Sequence, residues 1–180
     1  MRIRILAVTC LALLSSAALL SGQALRSSPT ARTAGVTGHI TINEVVGKQA
    51  QSTPIAKLKL YLVRAEDGRP LIDLQGSCRR AMKDPGEDAM RAYNTCSEGL
   101  RRFVELVPTL PAVATTETDR DGSYEFAEVP ASGRYYVVAV KTLEGAEPWA
   151  MVGLTNKLVA GQRVTMDLSA NDPWTQPKTP

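Results

Sequence analysis

Residues 116–140 read TETDRDGSYEFAEVPASGRYYVVAV and decide the fold, because turns and strands alternate in them without a break. Asp119 and Gly122 indicate a tight turn, since aspartate hydrogen-bonds its own backbone and glycine adopts a positive φ at no steric cost. Tyr124 and Phe126 then alternate with polar residues, which is the period of a half-buried strand. A second turn follows, and the β-branched and aromatic run after it is typical of a sandwich interior.

The same alternation recurs on both sides of this stretch. Ile40 and Ile42 share one face of a predicted strand, and leucines alternate with Lys57, Lys59 and Tyr61 in the next one, so we expect Tyr61 to face outward. Further strands are predicted at residues 113–118, 151–159 and 164–168, and a polar loop at residues 47–54. About seven short strands with turns at close intervals indicate an all-β, antiparallel, immunoglobulin-like sandwich.

Residues 72–108 change from strand spacing to helical spacing. Pro85 and Gly86 divide the segment into two helices, of which the first is predicted at residues 77–83 with Ser77 as its cap. We therefore predict a helical hairpin inserted between two strands, whose apolar stripe caps a sandwich end or presents a partner surface. The stripe of the second helix consists of Met90, Tyr93, Cys96, Leu100, Phe103, Val104 and Val107.

Cys78 and Cys96 both lie in this hairpin, and we predict that they form a disulfide. Such a bridge would stabilise the fold by about 3 kcal/mol through restraint of the unfolded chain. A redox pair or a zinc site is the alternative. The two cysteines lack the spacing of a redox motif, however, and the chain contains a single histidine, His39, so a structural disulfide is favoured.

Residues 1–24 have the composition of a secretory signal peptide. Two arginines precede an apolar run, and small residues occupy positions 22 and 24, as signal peptidase requires. A membrane anchor is the alternative, but the run is shorter than the roughly 20 apolar residues that span a bilayer. We expect residues 25–35 to be a flexible lead-in, residues 36–170 the sandwich and residues 171–180 a loose tail. The mature protein would be secreted or periplasmic, without a membrane span.

The charge of the chain argues against nucleic-acid binding. The sequence has 21 basic and 18 acidic residues, and removing residues 1–24 removes two arginines and no acid, which leaves 19 basic residues. A nearly neutral chain lacks the concentrated basic face that nucleic-acid binding requires. On the hairpin, Arg79, Arg80, Arg101 and Arg102 are interleaved with acidic residues, which favours a mixed solvated face.

The pattern T-D-x-D-G-x-Y-x-F at residues 118–126, followed by P-x-x-G-x-Y-x-V at residues 130–137, resembles the carboxypeptidase regulatory-like domain. The resemblance covers residues 36–65 and 113–169 and leaves the helical insert outside. It implies a transthyretin-like sandwich of about seven strands. It also implies a non-catalytic accessory or binding module of exported and cell-surface proteins, although fold does not settle function.

The turn at residues 117–128 also has the spacing of a calcium loop. Glu117, Asp119, Asp121 and Glu128 stand at ligand positions of that template. A helix should follow a calcium loop of this type, whereas Val129 and Pro130 follow here and the preceding residues alternate as a strand. A structural turn is therefore favoured over a calcium site.

Candidate ligand-binding residues are aromatic. Trp149 could stack on a sugar ring at a strand edge, with Tyr61 as a second aromatic on the surface, or it could plug one end of the sandwich. His39 is expected on the solvent face of a strand. A catalytic serine needs a base, and the sequence has neither a G-x-S-x-G motif nor a second histidine from which to build a triad or a metal centre. We expect a non-enzymatic binding or structural module without a cofactor, metal or catalytic residue. Its partner would be a protein or, alternatively, a cell-surface polysaccharide.

Overall fold

A computed structural model describes residues 33–46, 49–83, 88–141 and 148–170. Two helices lie between the third and fourth of the strands in this part of the chain. The elements are β1 (Thr33–Val46), β2 (Gln49–Pro54), β3 (Lys59–Arg64), α1 (Arg69–Lys83), α2 (Ala89–Leu106), a 3-10 turn (Val107–Thr109), β4 (Ala112–Glu117), β5 (Ser123–Pro130), β6 (Tyr135–Lys141), β7 (Trp149–Leu154), β8 (Arg163–Thr165) and β9 (Leu168–Ala170).

The first sheet is built around the long strand β1. Strands β2 and β5 pair antiparallel with β1 and follow one another along the same edge. Ile40 marks the junction, because its N–H donates to the carbonyl of Gly122 and its own carbonyl accepts from the N–H of Ile55. The opposite edge of β1 is filled by β8 and β9.

These last two strands correct the sequence prediction. They run parallel to β1, with Val164 opposite Val36 and Leu168 opposite Ile40, so the expectation of a wholly antiparallel sandwich is wrong for this sheet. After β7 the chain crosses from the second sheet to the far edge of β1 and enters in the same direction. Alternation along a strand reports which face is buried and contains no information about the direction of a neighbour.

The second sheet has the order β4-β3-β6-β7 and is antiparallel throughout. Its inner face packs against the first sheet around a core that contains Leu60, Leu62 and Tyr135. The sandwich prediction is therefore confirmed as two packed sheets. Within this core the hydroxyl of Thr118 donates to the carbonyl of Ile55 over 2.6 Å.

The helical hairpin forms a third layer on the outer face of the second sheet. Tyr61 and Val63 point to that face and pack beneath Leu100, Phe103 and Val104 of α2. Tyr61 does face away from the sandwich interior as predicted, but it is buried under the helices, so its predicted place on the surface is wrong. A period-two pattern cannot distinguish a solvated face from one that an insert covers.

The turn at residues 119–122 agrees with the sequence prediction. Gly122 has a φ of +75°, and a Cβ atom there would lie 2.6 Å from the carbonyl oxygen of Ile40. The side chain of Asp119 accepts the backbone N–H groups of Asp121 and Ser123. Glycine is therefore required both by the backbone conformation and by the approach of β1.

Several predicted boundaries were wrong. Residues 49–54 form a strand instead of a polar loop, and β7 ends at Leu154, five residues before the predicted end. Helix α1 begins at Arg69, so Ser77 lies inside it and donates to the carbonyl of Asp73 instead of capping a helix. The predicted signal peptide and the predicted C-terminal tail lie outside the described residues.

Candidate functional site

The apolar stripe of the hairpin continues beyond the part that packs on the sheet. On α1 the stripe runs through Leu71, Gln75, Cys78 and Met82, which are three or four residues apart. Leu71 is buried against the second sheet, whereas the cluster between helices and sheet includes no described residue between 76 and 98. The distal half of the hairpin is therefore supported by contacts between the helices.

Three large apolar side chains are exposed where the stripe leaves the sheet. Met82 is 57% exposed, Met90 68% and Tyr93 52%. Tyr93 and Met90 continue the stripe that is buried at Val104 and Leu100 nearer the base of α2. We call Met82, Met90 and Tyr93, with the flanking Lys83 and Arg91, the hairpin tip. Large apolar side chains that are exposed on one element are candidates for an interaction site.

The disulfide stabilises the hairpin where the sheet no longer does. Cys78 and Cys96 are bonded, with their Cα atoms 4.5 Å apart, so the predicted pairing is confirmed. Met82 lies one turn after Cys78, and Tyr93 lies just under one turn before Cys96. The bond thus fixes the two halves of the hairpin tip relative to one another.

The solvent-facing side of α2 has an ion-pair network. Glu98 accepts hydrogen bonds from Arg101 over 2.9 Å and from Arg102 over 2.7 Å, and Arg101 also contacts Glu105 over 2.6 Å. The hydrogen bonds from Arg101 and then Arg102 lower the pKa of Glu98 from 4.5 to about 2. The prediction of a mixed solvated face is confirmed for these arginines.

A groove of about 570 Å³ lies between α1 and α2 near the base of the hairpin. Leu74 and Leu106 provide its apolar floor, and Asp73 and Glu105 place carboxylates at its rim. We call it the helix groove. It is formed by Pro70, Asp73, Leu74, Ser77, Arg102, Glu105, Leu106 and Thr109. At 100° per residue these positions lie on other helical faces than the stripe that ends in the hairpin tip.

A second cleft of about 450 Å³ lies at the seam between the two sheets, beside the turn at residues 119–122. Its polar groups make structural contacts. The Tyr124 hydroxyl donates to the carbonyl of Met166 over 2.5 Å, and Glu125 pairs with Arg163 over 2.7 Å. Burial, with a smaller contribution from the Asp167 carboxylate, raises the pKa of Tyr124 well above its ordinary value. These contacts join β5 to β8 and to the connection between β8 and β9.

The candidate calcium residues are not assembled into a site. The Asp119 carboxylate is already bonded to two backbone N–H groups of its own turn. Glu128 lies on the extended strand β5, as the sequence argument against a calcium loop requires. Within the described ranges, no group of three or more histidine, cysteine, aspartate or glutamate side chains is placed to hold a metal ion.

Trp149 and His39 both make contacts within the fold. Trp149 is half-buried at the start of β7 and packs against the core between the sheets. His39 is exposed, as predicted, and its N–H donates to the Asp167 carboxylate over 2.8 Å between β8 and β9. In the part of the chain that the structure describes, no helix has the length and apolar character needed to cross a membrane.

Comparison with known proteins gives fold likenesses of low similarity. The chain matches no protein-family model and no curated protein sequence. Among solved structures it is similar to a candidate carbohydrate-binding protein of Pseudomonas aeruginosa, with a TM-score of 0.44, 14% identity and coverage of 80% of this chain and 92% of that one.

Two pilins are similar at a comparable level. The basal pilin of Lactobacillus rhamnosus gives a TM-score of 0.36 and 13% identity over 78% of this chain and 97% of that one. The minor pilin of Streptococcus agalactiae gives 0.33 and 13% over 83% of this chain and 48% of that one. At these scores the comparisons carry no argument about function, which rests on the contacts of the chain itself.

The sequence prediction placed Met90 and Tyr93 on the apolar stripe of the hairpin and left open whether that stripe caps a sandwich end or presents a partner surface. In the structure both side chains are exposed. The lengths of the helix and the strands contain a signal for this exposure. A helix with the 18 residues of α2 is about 27 Å long. Four strands span only about 15 Å across, and strands of six or seven residues are only about 20–23 Å long. The helix therefore extends past the sheet in whichever direction it crosses it.

Proposed function

We propose that this chain is a non-enzymatic module that binds a protein partner through its helical hairpin, at the cell envelope or outside the cell. The observation that carries the proposal is the exposure of Met82, Met90 and Tyr93 on a stripe that is buried elsewhere in the hairpin. Leaving such side chains in water sacrifices the free energy of apolar burial, roughly 25 cal/mol per Å². A bound protein surface would recover it.

The rest of the hairpin supports the same proposal. The disulfide between Cys78 and Cys96 restrains the distal half, so less conformational entropy is lost when a partner binds. Methionine side chains are adaptable and common at binding surfaces. The disulfide is also typical of an exported protein, in agreement with the signal peptide predicted at residues 1–24.

The resemblance of residues 118–137 to the carboxypeptidase regulatory-like domain supports an accessory role beside other proteins. In this proposal the sandwich is the scaffold and the insert is the binding element. The alternative function predicted from the sequence is binding of a polysaccharide through Trp149. Retention of wild type and of Trp149→Ala on polysaccharide gels distinguishes the two, since only the alternative predicts loss in the variant.

Site-specific photo-cross-linking in the envelope fraction of the source organism tests the proposal. A photoreactive residue at position 90 should give a discrete protein adduct, whereas the same residue at position 159 should not. Val159 is the matched control, because it is also a large exposed apolar residue, 61% exposed, and lies on the sandwich.

The partner identified in this way should then be purified and its affinity measured. Met90→Ser with Tyr93→Ser should weaken binding about tenfold or more, which is the scale of a hot-spot residue. Val159→Ser should leave the affinity unchanged. Equal adducts from both positions, or equal affinity for all variants, would contradict a binding role for the hairpin.

A further inference from the structure

Two methionines lie at the exposed end of the hairpin stripe, and leucines lie at its buried base. Met82 is 57% exposed and Met90 is 68% exposed. Leu71 and Leu100, on the same two helices, are buried. We propose that the thioethers of Met82 and Met90 are sites of oxidation by peroxides, and that this modification changes the hairpin tip from an apolar to a polar surface. Its consequence for partner binding rests on the proposed function, whereas the modification itself does not.

The reaction transfers one oxygen atom from a hydroperoxide to sulfur. A lone pair of the thioether attacks the hydroxyl oxygen of the peroxide, so that an S–O bond forms and the O–O bond breaks. Sulfur gives up an electron pair, and the reduced peroxide leaves as water or an alcohol after taking the proton from the transferred oxygen. The product, methionine sulfoxide, is polar where the thioether was apolar, and this change disrupts methionine-rich interfaces.

Burial protects the other methionines that the structure describes. Met151 is 2% exposed in the core between the sheets, and Met166 is half-buried against the same core. Susceptibility to oxidation follows the exposure of the sulfur, so peroxide should modify Met82 and Met90 first. A sulfoxide at Met151 would disrupt the core, whereas sulfoxides at the hairpin tip remain in water. Oxidation of the tip should therefore leave the sandwich intact.

The disulfide directs this chemistry to the thioethers. A cysteine thiolate would compete for peroxide, but Cys78 and Cys96 are already bonded to one another. The bond also lies one turn before Met82 on α1 and less than two turns after Met90 on α2. It therefore holds the two helices together next to the modified side chains, and the hairpin should keep its shape when its end becomes polar.

Peptide mapping by mass spectrometry tests the site of oxidation. The full chain without the predicted leader, residues 1–24, is treated with increasing concentrations of hydrogen peroxide. The peptides that contain Met82 and Met90 should each gain the mass of one oxygen atom at the lowest concentrations. The peptide that contains Met151 should stay unmodified until the chain is unfolded in guanidinium. Equal modification of Met90 and Met151 in the folded chain would overturn the inference.

Retention on a phenyl resin measures the change in polarity. Peroxide should shorten the retention of wild type and leave its melting temperature unchanged. Met82→Leu with Met90→Leu is the matched variant, because leucine is close to methionine in volume and has no sulfur to oxidise. Peroxide should not change the retention of this variant. A shift of equal size in the variant, or a lower melting temperature of treated wild type, would overturn the inference.

Photo-cross-linking separates this inference from the proposed function. A photoreactive phenylalanine at position 93 leaves both methionines in place. An adduct that oxidation abolishes in wild type but not in the leucine variant supports both. Adducts that do not depend on position 93 in the untreated chain overturn the proposed function, and the peptide map then still supports or overturns the oxidation. An adduct that survives oxidation of both sulfurs leaves the proposed function intact and overturns the proposed control of binding.

Discussion

The hydroxyl of Tyr135 donates a hydrogen bond of 2.7 Å to the carbonyl oxygen of Pro130, which closes the corner between β5 and β6. The ring of Tyr135 is completely buried in the core between the sheets. We expect Tyr135→Phe to lower the free energy of unfolding by about 1 kcal/mol, the usual contribution of one hydrogen bond. Urea denaturation measures the change. Tyr136→Phe is the neighbouring control, and an equal loss there would argue against the corner bond.

Gly38 is required by the approach of the chain that joins β8 to β9. A Cβ atom at this position would lie 1.9 Å from the carbonyl oxygen of Met166. Gly38→Ala should therefore reduce stability by about 1–3 kcal/mol, because backbone must move to make room. Gly35→Ala on the same strand is the control, since its Cβ would meet atoms no closer than 3.5 Å. Similar thermal unfolding of both variants would contradict this account.

Thr118 joins two loops with one buried hydroxyl. Its Oγ1 accepts the N–H of Leu58 over 2.9 Å and donates to the carbonyl of Ile55. Thr118→Val keeps the shape and leaves both backbone groups unsatisfied, so we expect a loss of about 2–3 kcal/mol. Thr118→Ser retains the hydroxyl and should lose less. Guanidinium denaturation of the two variants gives the comparison, and equal losses would assign the effect to packing alone.

The disulfide should matter most to the distal half of the hairpin. Replacing Cys78 and Cys96 by alanine should lower the free energy of unfolding by about 3 kcal/mol, from the entropy of the released loop. Hydrogen exchange should accelerate most at residues 76–83 and 88–98, where packing on the sheet has ended. Uniform acceleration over the whole chain would show that the bond supports the sandwich instead.

Glu98 gives the hairpin a specific dependence on pH. Its pKa of about 2 in the folded protein lies below its ordinary value of 4.5, so folding favours the ionised form. The stability that this group contributes is present above pH 4.5 and is lost as pH falls towards 2. Glu98→Gln should therefore be less stable than wild type at neutral pH and equally stable near pH 2. A difference that is constant with pH would contradict the ion-pair assignment, and NMR titration of the carboxyl gives the pKa directly.

Local chemistry in the sequence was sufficient to predict the sandwich. Gly122, Asp119 and the alternation at Tyr124 and Phe126 depend only on near neighbours, and all three predictions agree with the structure. The helical spacing of the insert and the pairing of Cys78 with Cys96 likewise depend on residues that are near one another in the chain. Such features follow from backbone preference and side-chain period.

Features that depend on distant partners could not be predicted. The parallel addition of β8 and β9 is decided by the path of residues 155–162, where no residue type specifies a direction. The burial of Tyr61 depends on helices that follow it in the chain. The lengths of the elements indicate that α2 extends past the sheet, but which of its residues are exposed depends on where a sheet made from other segments ends. The helix groove combines two helices whose relative position the sequence alone does not specify.

The bond between the His39 N–H and the Asp167 carboxylate joins residues 128 positions apart. The strands on either side of Asp167 complete the sheet around β1, so β1 gains these neighbours only after residues 163–170 have been synthesised. Closing so distant a contact is entropically costly and slows folding in proteins of high contact order. A chain that terminated before residue 163 would have one edge of β1 unpaired, and strands of other chains could pair with it. Residues 163–170 therefore protect this edge of β1 from pairing with other chains.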